Sequence, residues 1–257
     1  MKRKKLISWN VNGLRSVARK GFHAWLETAQ PDVLSLQETR AWPDQLTDDL
    51  LRPLGYKSFF ACAQKKGYSG VAIYTKRDPL DVTEGIGDPA YDAEGRTITA
   101  RFGDFTLVNA YFPNGQRDHA RVPYKMDYCA AFLAHCQALR ARDQPLVMCG
   151  DFNTAHRPID LARPKGNEQT TGFLPLERAW IDELIDAGYI DIFRALHGDI
   201  EGEYTWWSNR RGVRERNVGW RIDYHFVSAC MRPRVCAAYH LQDVLGSDHC
   251  PLALEFE

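Results

Sequence analysis

The sequence of 257 residues has no run of 18 or more apolar residues, so no membrane-spanning helix is expected. Its basic first residues, 1–5, are not followed by the apolar segment of a secretory signal, so secretion is not expected either. The seven cysteines are odd in number and form no C-x-x-C pair. Because disulfide frameworks and zinc sites use paired cysteines, we interpret them as reduced thiols of a cytosolic protein.

An excess of charge of either sign is also lacking, since 33 basic residues balance 33 acidic ones. Charge is instead concentrated locally. Residues 205–221 contain one glutamate and five arginines, at positions 210, 211, 214, 216 and 221. Arg117, Arg121 and Lys125 form a second basic group beside Asp118. Basic loops suit local contact with a phosphate backbone, and they equally suit an ordinary solvated surface.

Short apolar runs alternate with a few helical patterns, and no repeat, low-complexity stretch or linker separates them. Strand patterns occur at 6–11, 33–36, 58–63, 70–75, 98–102, 106–112, 146–149, 224–228, 235–241 and 252–256. Helical patterns occur at 21–29, 43–51, 124–140 and 175–187. Many strands mixed with few helices predict a single α/β domain over residues 1–257, with two sheets packed together and helices outside.

Polar residues gather where these apolar runs end. The clusters contain Asn10 and Asn12, Gln37 and Glu38, Tyr111 and Asn114, Asp151 and Asn153, Asp223, and Asp248 and His249. Ligand sites of layered α/β proteins lie on loops beyond strand ends. Turn formation explains any one such cluster, because Asp and Asn suit turns. Six clusters together are harder to explain by turns alone.

The residue types in these clusters favour metal-assisted hydrolysis. Glu38, Asp151, Asp223 and Asp248 offer hard oxygen ligands, which suit Mg²⁺ or Mn²⁺ better than zinc. A histidine directly after Asp248 is positioned to hydrogen-bond a phosphoryl oxygen. No serine or cysteine lies in a recognisable nucleophile motif, so the pattern favours attack by water on phosphorus.

The clusters resemble one family in order along the chain. The segments that carry the resemblance are 8–15 (SWNVNGLR), 36–39 (LQET), 67–71 (GYSGV), 149–153 (CGDFN), 217–224 (NVGWRIDY) and 246–251 (GSDHCP). They are similar to the exodeoxyribonuclease III class of AP endonucleases, in the exonuclease–endonuclease–phosphatase superfamily. The resemblance runs from residue 4 to the C-terminus. It implies a four-layered α/β sandwich, in which two mixed β-sheets pack face to face with helices outside.

The same resemblance implies a DNA-repair phosphodiesterase. Such an enzyme hydrolyses double-stranded DNA 5′ to abasic sites and leaves 3′-OH and 5′-deoxyribose phosphate ends, with some 3′→5′ exonuclease or 3′-end trimming. Glu38 would hold Mg²⁺, or Mn²⁺ as a substitute, with help from Asn12 and Asp248 and with Asp151 and Asn153 close by. A monomer is implied, located in the cytoplasm and associated with the nucleoid if the source is prokaryotic.

Further roles carried over from the resemblance concern water, phosphate and DNA. Asp151 would orient or deprotonate the attacking water with Asn153 beside it, and His249, held by Asp223, would stabilise the scissile phosphate. Tyr111, Asn10 and Asn114 would contact that phosphate, and Arg117 would lie along the DNA. Trp206, Trp220 and Ile222 would form an apolar pocket for a flipped abasic sugar. Trp207 is expected in the core, and His156 in a structural role.

Three positions depart from the pattern of the family. Asn12 stands where animal relatives have aspartate, although bacterial relatives often have asparagine; the lost charge should weaken metal binding. Trp206 replaces phenylalanine and crowds the pocket. Arg210 replaces a methionine that relatives insert into the duplex, so that recognition at this point would depend more on charge.

Two other functions remain open. A different phosphoesterase of the superfamily, of the inositol-phosphate phosphatase or sphingomyelinase type, would share Glu38, the Gly-Asp-Phe-Asn cluster and Ser-Asp-His. It would not be expected to carry segments 204–207 and 217–223 as they stand here. A non-catalytic DNA-binding module would be expected to lack a metal or water-activating residue, and none is missing.

Overall fold

Two six-stranded sheets lie face to face in the computed structural model, which describes residues 3–141 and 144–257. The first sheet has the spatial order β11 (Val235–His240), β12 (Leu252–Phe256), β1 (Lys4–Asn10), β2 (Val33–Gln37), β4 (Val71–Thr75) and β3 (Lys57–Ala61). The second has the order β5 (Asp81–Glu84), β6 (Thr97–Arg101), β7 (Thr106–Tyr111), β8 (Leu146–Asp151), β10 (Asp223–Ser228) and β9 (Tyr189–Asp191). Strands β1 and β2 are parallel, as are β7 and β8, and the remaining pairs are antiparallel, so both sheets are mixed.

Helices cover the outer faces of both sheets. The helices are α1 (Leu14–Ala18), α2 (Phe22–Ala29), α3 (Asp48–Leu51), α4 (Pro89–Asp92), α5 (Val122–Arg140), α6 (Pro175–Asp186) and α7 (Ile192–His197). Short 3₁₀ turns lie at Pro43–Gln45, Pro53–Gly55, Pro158–Asp160, Pro164–Gly166 and Arg232–Arg234. Helices α1 and α2 share a core with the first sheet, and α5 and α6 share one with the second. Within the described ranges, no helix is long and apolar enough to cross a membrane.

Successive side chains along each strand alternate between the core that lies between the sheets and the core that lies under the helices. In β1, Leu6 packs between the sheets, whereas Ile7 and Trp9 pack outward against α1 and α2. In β8, Val147 faces the first sheet and Met148 faces α5 and α6. Side chains of a strand point to opposite faces in turn, so each strand supplies two cores. The predicted four-layered α/β sandwich is therefore confirmed.

Several predicted elements differ from the observed ones. The helical pattern at 43–51 forms a 3₁₀ turn and the short α3, because Leu46 and Thr47 between them have extended backbones. Strand β5 was not predicted because it is largely exposed and polar, and β9 because it has only three residues. The short helices α1, α4 and α7 were not predicted either. All three have six residues or fewer, too few for a periodic pattern to be recognised.

The two basic groups expected on the surface, residues 205–221 and 117–125, contain several cations that are buried or ion-paired. This corrects the expectation that they are surface loops. Lys125 is buried and donates from Nζ to Glu177 at 2.6 Å. Arg121 pairs with Glu94. Arg221 is buried against Asp160 and Asp191, and Arg214 donates to the backbone carbonyls of residues 242, 244 and 247. Charge counted along the sequence cannot distinguish these buried, paired groups from free surface cations.

Candidate active site

The polar clusters meet at one edge of both sheets. The carboxyl ends of the parallel strands β1, β2, β7 and β8 lie there, and they end at Asn10, Gln37, Tyr111 and Asp151. Strand β10 runs antiparallel to β8, so that its first residue, Asp223, pairs with Asp151. Segment 247–249 reaches the same edge because it directly precedes β12, which is antiparallel to β1. The polar clusters therefore lie close together beyond the strand ends.

His249 lies between two buried aspartates. Its Nδ1 donates to Oδ2 of Asp223 at 2.9 Å, and its Nε2 lies 3.8 Å from Oδ2 of Asp151. The same Oδ2 of Asp223 accepts a 2.6 Å hydrogen bond from the hydroxyl of Thr205. In turn, the backbone N–H groups of Ile222 and Asp223 donate to Thr205 at 3.1 Å. The imidazole therefore has a fixed orientation, with one ring nitrogen held and the other directed at Asp151.

These neighbours shift the pKa values of both partners. Burial, together with the nearby Asp223 carboxylate, raises the pKa of Asp151 to about 7 against the opposing effect of His249. Burial alone would lower the pKa of His249, but the carboxylates of Asp223 and Asp151 outweigh it and raise this pKa to about 10. Near neutral pH the pair therefore combines a carboxylate that can accept a proton with an imidazolium that can donate a hydrogen bond.

Asn10 joins the first sheet to the second at this point. Its Nδ2 donates to Oδ2 of Asp151 at 2.9 Å and to Oε2 of Glu38 at 3.1 Å. The other oxygen of Glu38 accepts from Arg40, whose Nε lies 3.0 Å away and whose Nη2 is also in contact. Glu38 therefore lies on the same side of the site as Asp151, and its charge is shared with one arginine.

Asp248 is held from two sides. Its Oδ1 accepts from Nδ2 of Asn12 at 2.8 Å, and its Oδ2 accepts from the indole Nε1 of Trp206 at 3.1 Å. Burial acts to raise the pKa of Asp248, but neighbouring His249 and the hydrogen bonds from Asn12 and Trp206 outweigh it and lower the pKa. Asp248 is therefore a fixed negative charge across the cleft.

Asn153, Asn114 and Tyr111 surround Asp151. Asn153 donates to the carbonyl of Phe112 at 2.9 Å and to Oδ2 of Asp151 at 3.3 Å, and it accepts from Asn114 at 3.2 Å. Burial, followed by the charges of Glu38 and Asp151, holds the pKa of Tyr111 well above its usual value. Tyr111 therefore remains a neutral hydroxyl that can donate a hydrogen bond into the cleft.

An apolar pocket adjoins these polar groups. Trp206, Trp220 and Ile222 pack with Ala155, Leu161 and Phe173 in one small cluster. The rings of Trp206 and Trp220 meet edge to face, 6.4 Å apart at 83°. One cleft of about 340 Å³ is lined both by these three side chains and by Glu38, Asp151, Asp248 and His249. The polar and apolar parts of the predicted site are therefore continuous.

Four of the fifteen predicted site residues do not line this cleft. Arg117 and Arg210 are exposed on loops outside it, and Asn10 and Asp223 lie buried beneath its floor. The remaining eleven predicted residues all line the cleft. Trp207 is buried as expected, and His156 bonds Asp182 at 2.7 Å.

Several lining or supporting residues were not predicted. Arg40, Thr170, Thr171 and Gly172 line the cleft, and Thr205 supports Asp223 from behind. Arg40 follows the Gln-Glu-Thr motif directly, so that extending the motif by one residue would have identified it. The role of Thr205 had no sequence signal, because its partner lies 18 residues away.

Strained backbone conformations also occur at the site. Asn12, Glu38, Arg40 and Asn153 have φ values of 46°, 56°, 51° and 50°, in the left-handed region that non-glycine residues seldom adopt. Such conformations persist where surrounding contacts enforce them, and they cluster at functional sites. The turns after β1, β2 and β8 therefore direct these side chains into the cleft at a conformational cost.

The donor set fits a hard divalent cation. Glu38, Asp248 and Asp151 offer carboxylate oxygens around one cleft, and the amide oxygen of Asn12 can join them because its Nδ2 is the atom bonded to Asp248. Asp151, Asp223 and His249 also place ligand atoms within 4.8 Å of one another. In that group, however, Nδ1 of His249 is already bonded to Asp223. An all-oxygen set suits Mg²⁺ or Mn²⁺.

Comparisons with known proteins identify the family of this chain. The model of the Endonuclease/Exonuclease/phosphatase family matches residues 7–249. An exodeoxyribonuclease of Bacillus subtilis is 43% identical over 97% of this chain and 98% of its own length. The DNA repair nuclease APEX1 of Danio rerio is 43% identical over 97% of this chain and 81% of its own length. The structure of an AP endonuclease from Archaeoglobus fulgidus superposes with a TM-score of 0.90 at 28% identity, covering 99% of both chains. The chain therefore belongs to the Endonuclease/Exonuclease/phosphatase family and, within it, to the exodeoxyribonuclease III class of AP endonucleases that its motifs indicated.

Proposed function

We propose that this protein hydrolyses the backbone of double-stranded DNA on the 5′ side of abasic sites, with Mg²⁺ as its cofactor. The observation that carries the proposal is the single cleft in which a carboxylate–histidine cluster adjoins a small apolar pocket. Water adds to phosphorus and the bond to the preceding 3′ oxygen breaks, which leaves 3′-OH and 5′-deoxyribose phosphate ends. Some 3′→5′ exonuclease or 3′-end trimming at the same site accompanies this activity. Residues 1–257 act as one domain and as a monomer.

In this proposal Glu38, Asn12 and Asp248 hold the metal, with Asp151 and Asn153 beside it. Bound Mg²⁺ supplies positive charge to the phosphate oxygens as negative charge develops on them. The oxygen donors around the cleft support this assignment. Mn²⁺ would substitute, because it accepts the same ligands.

Asp151 orients the attacking water and accepts its proton. A pKa near 7 leaves a large fraction of this carboxylate ionised at neutral pH while keeping it basic enough for the task. Asn153 lies beside it, bonded at 3.3 Å.

His249 donates a hydrogen bond from Nε2 to the scissile phosphate and stabilises its developing charge. Its raised pKa keeps it protonated, and Asp223 holds the opposite ring nitrogen at 2.9 Å. Asn114 and the neutral hydroxyl of Tyr111 add further donors. The expected contact of Asn10 with the phosphate is not part of the proposal, because Asn10 is buried and its amide N–H groups donate to Asp151 and Glu38. Converging donors in a water-poor site stabilise a charged transition state strongly.

The apolar pocket provides specificity for the lesion. Trp206, Trp220 and Ile222 leave room for a flipped sugar without a base, and an intact nucleotide is too large to enter. Flipping costs least where a base is already missing, because no stacking is lost.

A second groove supports a path for the DNA strand. A depression of about 720 Å³ is lined by Arg15, Arg19 and Lys20, and it shares Arg40 and Asp248 with the cleft. Cations in this arrangement would bind the phosphates of the DNA strand on one side of the scissile bond. Exposed Arg117 and Arg210 would contact the duplex elsewhere.

An incision assay tests the proposal. A labelled duplex with one tetrahydrofuran abasic analogue is incubated with Mg²⁺, with EDTA, and with the Glu38→Ala variant. We expect incision 5′ to the lesion only with metal, slower by at least ~10²-fold in the variant because charge stabilisation is lost. Full activity in EDTA would contradict the metal assignment.

Parallel substrates distinguish the alternatives. Hydrolysis of an inositol phosphate or of sphingomyelin without incision would indicate another phosphoesterase of the family. Lesion binding without incision under any metal would indicate a DNA-binding module. Undamaged and 3′-blocked duplexes in the same experiment measure the balance between incision and 3′-end trimming.

A further inference from the structure

Trp206 belongs both to the apolar pocket and to the polar side of the cleft. Its ring packs with Trp220 and Ile222, while its indole Nε1 donates to Oδ2 of Asp248 at 3.1 Å. Asn12 and Ser247 bond the other oxygen of that carboxylate, at 2.8 and 3.3 Å. Among the described residues, 3–141 and 144–257, Trp206 is the only hydrogen-bond donor to Oδ2.

The indole itself has little freedom to move. The backbone N–H and carbonyl of Trp206 each pair with Trp220 at 2.9 Å. The next residue, Trp207, donates its backbone N–H to the carbonyl of Asp248 at 3.0 Å. The segment that carries the indole is thus attached to the pocket wall and to the backbone of Asp248 itself, so the hydrogen bond has a fixed geometry.

We propose that Trp206 is a positioning residue for the carboxylate of Asp248, so that the residue forming the pocket wall also sets the affinity for the metal. This inference rests on the proposed function, in which Asp248 lies at the metal. A carboxylate held on both oxygens loses less orientational freedom when it binds a cation, and outer partners of metal ligands change affinity by about 10–100-fold. Phenylalanine at this position would keep the apolar wall and lose only the N–H donor.

Binding of Mn²⁺ alone, without DNA, tests the inference. Free Mn²⁺ is measured by electron paramagnetic resonance in titrations of the wild type, Trp206→Phe, Asp248→Asn, the double variant and Glu38→Ala. Trp220→Phe is the matched control for metal affinity, because Trp220 lines the same pocket and its indole has no hydrogen-bond acceptor among the described residues. Circular dichroism and melting curves verify that each variant is folded.

We expect Trp206→Phe to raise the Kd for Mn²⁺ about tenfold and Trp220→Phe to leave it unchanged. In the Asp248→Asn background, Trp206→Phe should cause no further change, because its effect acts through that carboxylate. An unchanged Kd for Mn²⁺ in folded Trp206→Phe would overturn the inference. It would also be overturned if Trp206→Phe raised this Kd by the same factor in the Asp248→Asn background as in the wild type. If the wild type bound Mn²⁺ no better than Glu38→Ala, the proposed metal site itself would fail, which is a distinguishable result.

Discussion

Replacing Asp223 by asparagine removes a charge and preserves the shape of the site. The amide oxygen of asparagine can still accept from Nδ1 of His249 and from the hydroxyl of Thr205. The negative charge 2.9 Å from the imidazole is lost. Two unit charges at this distance attract by about 6 kcal/mol at an effective dielectric constant of about 20. Since one pKa unit corresponds to about 1.4 kcal/mol, the pKa of His249 should fall by up to about four units.

The expected consequence is a displaced pH profile. In the wild type, the acid limb of kcat/KM follows Asp151, with a pKa of about 7, and the alkaline limb follows His249, with a pKa of about 10. Asp223 raises both values, so its loss moves both limbs to lower pH. The alkaline limb should enter the neutral range. At pH 8, only about one in a hundred molecules would then carry the imidazolium, which lowers the rate about a hundredfold.

The assay is incision of the tetrahydrofuran duplex between pH 6 and pH 10, at fixed ionic strength and saturating Mg²⁺. Thr205→Val is the matched control, since it removes the hydroxyl that bonds Asp223 and keeps the charge. Its rate should fall while its alkaline limb stays near that of the wild type. An alkaline limb that does not move in folded Asp223→Asn would refute the reasoning, because His249 would then not be the group that titrates.

Three further changes test single features of the site and fold. Asp151→Asn should reduce kcat by ~10²–10⁴-fold and leave binding of the abasic duplex intact by fluorescence anisotropy; parallel loss of binding would indicate a structural role instead. Lys125→Met removes the cation that pairs with the buried Glu177 carboxylate and should lower the free energy of unfolding in urea by about 3–5 kcal/mol, part of which Glu177→Gln should restore. Gly150→Ala would place a Cβ 1.8 Å from the carbonyl oxygen of Ala110, so we expect about 3 kcal/mol of destabilisation or more. A melting temperature of Gly150→Ala equal to that of the wild type would show that β7 and β8 can move apart at Ala110 and Gly150 at little cost.

Much of the site could be predicted from the sequence because strand ends are recognisable locally. Apolar runs that finish in carboxylates and amides mark residues such as Asp151 and Asp223 before any contact is known. The resemblance then gave these residues an order and roles. The sequence pattern could not predict which side chains support these residues in the folded protein. Arg40 on Glu38 and Thr205 on Asp223 are examples, because such contacts depend on how the turns direct each side chain.

Charge was the least reliable signal, and Arg221 explains why. It lies in the same basic segment as Arg210, yet it is buried in ion pairs with Asp160 and Asp191, which are 61 and 30 residues away. A lone buried cation is costly, so its partners must be buried with it. Sequence distance conceals such partners, and a basic segment therefore predicts a binding surface only where the fold leaves the cations unpaired.

The distance between the two halves of the site is set by a polar bridge behind it. Gln37 donates to Ser8 at 3.0 Å within the first sheet and to Asn109 of the second sheet at 2.6 Å. Asn109 donates back to the carbonyls of Leu36 and Ala72, at 3.0 and 2.9 Å. Apolar faces tolerate small sliding movements, whereas amide hydrogen bonds weaken steeply with misalignment. On β1, Ser8 and Asn10 are successive residues whose side chains face the other sheet. On β7, the same is true of Asn109 and Tyr111. The bridge therefore fixes the register in which Asn10 reaches Asp151 across the interface.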